Sequence, residues 1–155
     1  MGDLFHPYSP QNQILAVKDM AKATPQHIHI FLTQNTSRLR EFNPWPPNCW
    51  VGTTITNQEH MNERVGYLLN ADAKVRFISH EPLMSEIKQS QAWWKKVSPL
   101  LHWTIIGDMT GPGAVKLNLS WIFNLVGQYR EAGVPIFLKN NCPWPGAKKI
   151  QEWPA

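Results

Sequence analysis

Cysteine is nearly absent from this chain, with two among 155 residues, Cys49 and Cys142. At most one disulfide can form, which excludes a disulfide-stapled secreted scaffold, and neither a zinc ribbon nor a ferredoxin-type cluster can be assembled from these two residues alone. A reducing, cytoplasmic setting is the expectation. Charge is sparse too: 17% of residues are charged, and 15 Lys and Arg against 11 Asp and Glu leave a formal +4, an excess too mild to name a partner. No run of about eighteen apolar residues occurs and no basic-then-apolar leader opens the chain, so neither a membrane span nor a signal peptide is expected. The GxSxG, GxGxxG and GxxxxGK[ST] patterns are all missing, which leaves no nucleophile elbow and no standard phosphate loop.

What is there begins with apolar residues, 43% of the chain, enough for the core of one domain spanning residues 1–155. The 8 Trp and 13 Pro are high, and the Trp at 45, 50, 93, 94, 103, 121, 144 and 153 follow no repeat. They serve either core and loop packing or a stacking surface for bases or sugars.

Short β-rich runs alternate with helical patterns along the whole chain, which predicts serial β/α units. Helices are expected from Pro10 to about Ala23, around Asn35 to Phe42, from Asn57 through Leu69, and from about Ser120 to Ala132. Strands are expected at His27–Thr33, Trp50–Ile55, Ala73–Ser79, Trp103–Gly107 and Val134–Lys139. Residues 84–99 read as an amphipathic insertion lying on the body of the domain or on a partner, and residues 140–155 as a Trp/Pro-rich tail. Four strands are nearly continuous apolar runs, so a parallel sheet covered on both faces is expected. The fold class is α/β: a partial (β/α) barrel or open parallel sheet with about five to six units. A complete eightfold barrel needs about 200 residues or more. The opening, Met1 to Pro7, reads as the last turn of a strand and its following loop, as if the chain began inside a domain and lacked its first strands.

In either architecture ligands gather where the strands end, because the βα loops meet there. That rule selects Asp3, His6, Thr33, Gln34, Thr56, Asn57, His80, Glu81, Asp108, Lys139, Asn140 and Asn141, a ring suited to a polar or anionic ligand. Glu81 follows its strand directly and precedes Pro82, so it is held stiffly. Its role is chemical or that of a loop hydrogen-bond acceptor. Lys139 closes an apolar strand and either brings an ammonium to the rim or snorkels to water. Glu81 and Lys139 are the catalytic candidates. Asp3, His6, Gln34, Asn57, Asp108, Asn140 and the backbone at Gly111 and Gly113 are the ligand-binding ones, the last two because Gly111-Pro112-Gly113 could present N–H groups to an anion. His27 and His29 share one strand face but sit at the far end, so no metal site is assigned. Cys49 precedes its strand and Cys142 follows its own, which places them at opposite rims, unable to pair.

Several blocks together carry a resemblance: Gly2-Asp3-Leu4-Phe5-His6-Pro7, Thr24-Pro25-Gln26-His27 before Phe31-Leu32-Thr33, Trp50-Val51-Gly52-Thr53, Arg76 through Leu83, Trp103 through Gly107, Thr110 through Ala114, and Ala132 through Lys139. In this order they resemble the phage family named for gene products thirty-seven and sixty-eight, a domain of unknown function. The resemblance implies the C-terminal part of a radical-SAM-like partial barrel, phage- or prophage-associated, whose full-length members use S-adenosylmethionine and a [4Fe-4S] cluster held by three cysteines. This chain has no such cysteine triplet, so no cofactor is expected in it alone, and reductive cleavage of S-adenosylmethionine by this polypeptide is not expected. It departs from the family pattern at Gln34, Thr56 and Asp108-Met109-Thr110, and retains Glu81 and Lys139. The partner implied is a small-molecule or nucleotide ligand contacted by that pair. Two alternatives stay open: a non-catalytic single-stranded nucleic-acid module using Trp93, Trp94, Lys95, Lys96, Trp144, Lys148, Lys149 and Trp153, and a remnant whose exposed sheet edges pair with a second copy or another protein.

Overall fold

The computed structural model describes residues 2–114, 117–146 and 148–155. Met1 of the opening segment, Val115 and Lys116 beyond the glycine loop, and Ala147 of the tail lie outside the described residues. Five strands, β1 (His29–Thr33), β2 (Cys49–Thr54), β3 (Val75–His80), β4 (Trp103–Ile106) and β5 (Ile136–Leu138), are interleaved with helices α1 (Gln11–Ala23), α2 (Gln58–Leu69), α3 (Gln91–Val97) and α4 (Leu119–Glu131). The strands form one open, all-parallel sheet in the order β1-β2-β3-β4-β5. The α/β class and the count of about five units are as expected.

Local chemistry sets the boundaries. The Thr24 hydroxyl donates to the carbonyls of Met20 and Ala21 where α1 ends before Pro25. Asn57, Ser90 and Asn118 cap α2, α3 and α4, each side-chain oxygen accepting a backbone N–H of the first turn. Gly133, at φ 71°, stops α4 in the left-handed conformation that other residues avoid. The helix expected at Asn35–Phe42 is a 3₁₀ helix over Thr36–Phe42. Residues 84–99 lie against the body, where Ile87, Trp94 and Val97 are buried, but only Gln91–Val97 is α-helical.

One topological fact governs the packing. Crossovers between parallel strands are right-handed, so strands that always step in one direction send every crossover to the same side. Ile14, Met61, Val65, Leu68, Ile122, Leu125 and Tyr129 from helices therefore pack in one cluster with Phe31, Val51, Ile78, Ile106, Ile136 and Leu138 from the sheet. Among the described residues the other face has no helical cover, which corrects the expectation of a sheet sandwiched on both sides. It is covered by its own side chains: Trp50, Val75, Phe77 and Trp103 form a second cluster with Ile105 and Phe137 packed against it. Trp50 and Trp103 meet edge to face at 5.8 Å, and Trp153 of the tail stacks on Trp103 at 5.0 Å. Gly52 makes room for this layer, since a Cβ there would lie 2.5 Å from the Phe77 ring.

The tail also covers the β5 edge. Its backbone runs antiparallel to β5, with Leu138 N–H donating to the Ile150 carbonyl and Glu152 N–H to the Ile136 carbonyl, both at 2.8 Å. Among the described residues, Ile30, Phe31 and Leu32 of β1 make no backbone hydrogen bond beyond the ladder with β2. Trp94, Trp144 and Trp103 are used in packing, Trp94 against Tyr129 and Trp144 against Phe123. Cys49 and Cys142 are free and buried, Cys49 as the first residue of β2 rather than before it.

His80, selected above as a rim residue, turns into the helix-side core instead. Its Nδ1 lies 2.7 Å from the Ile55 carbonyl, which can only accept, so Nδ1 carries the hydrogen and Nε2 accepts from the Tyr129 hydroxyl at 2.7 Å. Burial pushes the ring down to about 4, although the bond to Ile55 opposes the shift, and burial pushes the Tyr129 phenol up.

Two outcomes follow from this packing. Gly52→Val drives a branched side chain into the Phe77 ring and is expected to cost about 1–3 kcal/mol in urea unfolding; a midpoint equal to the parent contradicts the packing described. Unfolded, His80 takes a proton near pH 6.5, whereas folded it stays neutral until about 4, so its contribution is complete above pH 6.5 and is lost as pH falls through that window, by up to about 3 kcal/mol. An NMR titration in which the His80 ring ionises with a midpoint above 6 overturns this placement.

Candidate functional site

Alternation along a strand sends residues 77, 79 and 81, residues 103, 105 and 107, and residues 137 and 139 to the helix-free face. The register Phe77↔Trp103, Ser79↔Ile105 and Ile105↔Phe137 aligns these rows. Aromatic groups fill the middle of the face, and at the C-terminal end the rows finish on Glu81, Gly107 and Lys139. Gly107 lies between the other two, where a Cβ would approach Lys139 Cδ to 3.1 Å and the Glu81 carboxyl carbon to 3.2 Å. The missing side chain lets the Lys139 ammonium cross to Glu81 Oε1 and form an ion pair. Both side chains remain part-exposed, 42% for Lys139 and 31% for Glu81, and the Glu81–Pro82 peptide is cis.

The pair opens into a cleft of about 360 Å³ whose walls include Thr110, Phe137, Asn140, Asn141 and Gln151. The amides are anchored: Asn141 Nδ2 donates to the Asp108 carbonyl at 2.9 Å, and Gln151 Nε2 donates to the Leu138 carbonyl and Asn140 Oδ1. Lys149 fixes the loop beneath them by donating to the carbonyls of Lys139, Asn140 and Cys142. Chemically, this is a charge-neutral pair beside amides and an aromatic ring. It offers a carboxylate oxygen as acceptor and ammonium hydrogens as donors.

The structure brings Glu81, Lys139, Asn140 and Asn141 together and sends the other expected residues elsewhere. Asp3 fastens the N-terminal segment to the end of β1, accepting from the Thr33 hydroxyl at 2.7 and 2.8 Å, the Gln34 and Phe5 N–H groups at 2.9 Å and Asn35 Nδ2 at 2.8 Å. Burial acts to raise its pKa, but these hydrogen bonds outweigh burial and hold it below the usual carboxylate value. Asn57 caps α2 through His60 N–H at 2.8 Å. Asp108 Oδ1 accepts from Met109 N–H at 2.7 Å. His6 is exposed, its ring against Tyr8 at 5.3 Å. Gly111 and Gly113 have φ of 99° and 79° and lie on an exposed loop, and Gln34 lines a different cleft, together with Arg64.

Residues that the strand-end rule missed are Thr110, Phe137 and Gln151 at the first cleft and Arg64 at the second. Phe137 was legible as the strand residue two before Lys139; Gln151 and Arg64 carry no local sign, since one arrives by a tail folding back and the other from a helix. Cys142 is buried, with its thiol pushed up to about 11 chiefly by that burial, and Cys49 belongs to the main core. Two separated, buried thiols do not provide the three thiolates of a [4Fe-4S] site. Among the described residues no group of three or more His, Cys, Asp and Glu is placed to hold a metal ion.

The family model described as "Protein of unknown function (DUF5131)" matches residues 1–152. No curated protein and no solved structure matches the chain.

The Asp3 network yields a direct test of its role. Asp3→Ala leaves several donors without their acceptor and is expected to lower stability by about 1–3 kcal/mol in urea titrations at pH 7, whereas Gln34→Ala, whose side chain makes no hydrogen bond among the described residues, leaves the midpoint unchanged. Equal midpoints for both variants would remove the anchoring role. Because the Asp3 pKa is lowered on folding, its contribution is complete above the unfolded carboxyl pKa and fades as pH falls toward the folded value.

Proposed function

We propose, for a chain that belongs to the family "Protein of unknown function (DUF5131)", that it binds a small zwitterionic ligand at the C-terminal rim of its sheet, over Glu81 and Lys139. The observation that carries this reading is the ion pair seated on Gly107 at the mouth of a cleft of about 360 Å³. A purely anionic ligand gains little there, because Glu81 already neutralises the ammonium. A ligand carrying both an ammonium and a carboxylate can insert between the two and keep each charge paired. Phe137 and the amides of Asn140 and Gln151 would hold its remaining, flatter part.

The likeness to the phage gene-product family points to S-adenosylmethionine, whose methionine end has this charge pattern, and to a phage- or prophage-associated protein related to the C-terminal part of a radical-SAM-like barrel. The strand order, stepping one way as successive units of a (β/α) barrel do, supports that relation. The two cysteines do not fit the cluster, so no reaction step is assigned to it. The nucleic-acid reading draws less support, since Trp94 and Trp144 are committed to internal packing and Lys149 to three carbonyls.

Calorimetric titration with S-adenosylmethionine and with methionine tests this reading. Both are expected to bind, and Glu81→Gln and Lys139→Met each to weaken binding at least tenfold while the thermal midpoint stays near that of the parent. Gly107→Ala, which crowds the pair from beneath, is expected to weaken it as well. Absence of binding by both ligands, or affinity indifferent to Glu81 and Lys139, overturns the proposal.

A further inference from the structure

We propose a second ligand site, independent of the first: the cleft between the exit of β1 and α2 binds a phosphoryl group, with Arg64 as its charged anchor. The cleft has a volume of about 470 Å³, walled on one side by Gln34, Asn35 and Ser37 and on the other by Glu63, Arg64 and Tyr67.

Arg64 differs from the other cations near this rim. Lys139 is paired with Glu81, Lys88 with Glu86, and Lys149 is surrounded by three carbonyls. Arg64 makes a single hydrogen bond, Nη1 to the Thr54 carbonyl at 2.6 Å, and among the described residues no carboxylate lies within 4 Å of its guanidinium. It is half-buried, and a guanidinium stays charged wherever it sits. A partly desolvated charge that feels Glu63 but forms no ion pair with it is costly, and an anion arriving in the cleft offsets that cost. The remaining guanidinium N–H groups are free to receive it.

The other walls supply matching donors. The Gln34 amide, the Ser37 hydroxyl and the Tyr67 hydroxyl make no hydrogen bond among the described residues. Three neutral donors and a guanidinium around one space suit a tetrahedral group that accepts from several directions, more than a planar carboxylate that accepts in one plane. Glu63 lines the same cleft and is exposed; as the immediate neighbour of Arg64 on a helix it points along a different direction, and its charge opposes the anion. Gln34 was singled out by its position after a strand, and here it acquires a definite neighbour.

The probe is inorganic phosphate, followed through the Arg64 Nε–Hε NMR signal and by calorimetry on the full chain. Saturable binding that shifts this signal is expected. Arg64→Met should weaken it at least tenfold, Glu63→Gln should tighten it two- to fivefold, and Lys139→Met should leave it unchanged. Because Arg64 also holds the Thr54 carbonyl, Gln34→Ala and Ser37→Ala serve as variants that leave that bond intact, each expected to weaken binding two- to fivefold. A phosphate titration that leaves the Arg64 signal unmoved, or affinity equal in Arg64→Met, overturns the site. Acetate binding as tightly as phosphate overturns the phosphoryl class. Loss of phosphate binding in Lys139→Met places the anion at the first cleft instead.

Discussion

A parallel sheet whose strands step in a single direction receives all its helices on one side, and the other side must be covered by whatever the strands themselves supply. Helix-side burial is ordinary, a cluster running from Ile14 of α1 to Val126 of α4. On the bare side the sheet uses large rings that pack against one another, several of them edge to face. Phe77 extends over Gly52, Trp103 meets both Trp50 and Phe77, and Trp153 closes over Trp103 from the tail. Each ring hides more apolar area than an aliphatic side chain, so a few of them replace a helix layer. The layer thins toward β1, where Ile30 and Leu32 are 51% and 45% exposed.

The same bare face determines where chemistry is possible. Toward the C-terminal end its side chains change from rings to Thr54, Ser79, Glu81 and Lys139, and among the described residues no helix sits above them to fill the space. The tail then contributes twice: its backbone occupies the β5 edge, and its Gln151 forms part of the wall beside Lys139. Lys149 ties these functions together, since one ammonium fixes three carbonyls in the turn that carries Asn140 and Asn141. A segment that protects an edge from unwanted pairing also holds the amides of the cleft in place.

Much of the fold was legible because apolar periodicity and turn residues agree at each boundary. Ile105-Ile106-Gly107 and Val134-Pro135-Ile136 mark their strands without ambiguity, and Asn57 and Gly133 mark helix ends by their own chemistry. The one-sidedness was not legible, because an apolar run such as Trp103 to Ile106 looks the same whether its second face meets a helix or a neighbouring tryptophan. Strand order, a long-range property, makes the difference. Likewise His80 and Glu81 are adjacent in sequence at the same strand end, yet alternation sends one into the core against Tyr129 and the other to the rim.

Side-chain length separates the rim residues that hold the fold from those free to meet a ligand. Short polar side chains at strand ends reach mainly their own neighbourhood, where unpaired backbone N–H groups wait. Asp3 takes Phe5 N–H, Asn57 takes His60 N–H, Asp108 takes Met109 N–H and Asn118 takes Ser120 N–H, none more than three residues away. Asp3 goes further only because Thr33 and Asn35 are brought to it. Glu81, Lys139, Gln151 and Arg64 carry their polar atoms beyond the local backbone, and their bonds cross between elements: Lys139 to Glu81, Gln151 to Asn140, Arg64 to Thr54. Strand-end position therefore gathers both kinds without distinguishing them. Reach distinguishes them, and it concentrates the chemistry of this rim in two clefts, one over Gly107 where the charges form an ion pair and one beside α2 where, among the described residues, the Arg64 guanidinium forms none.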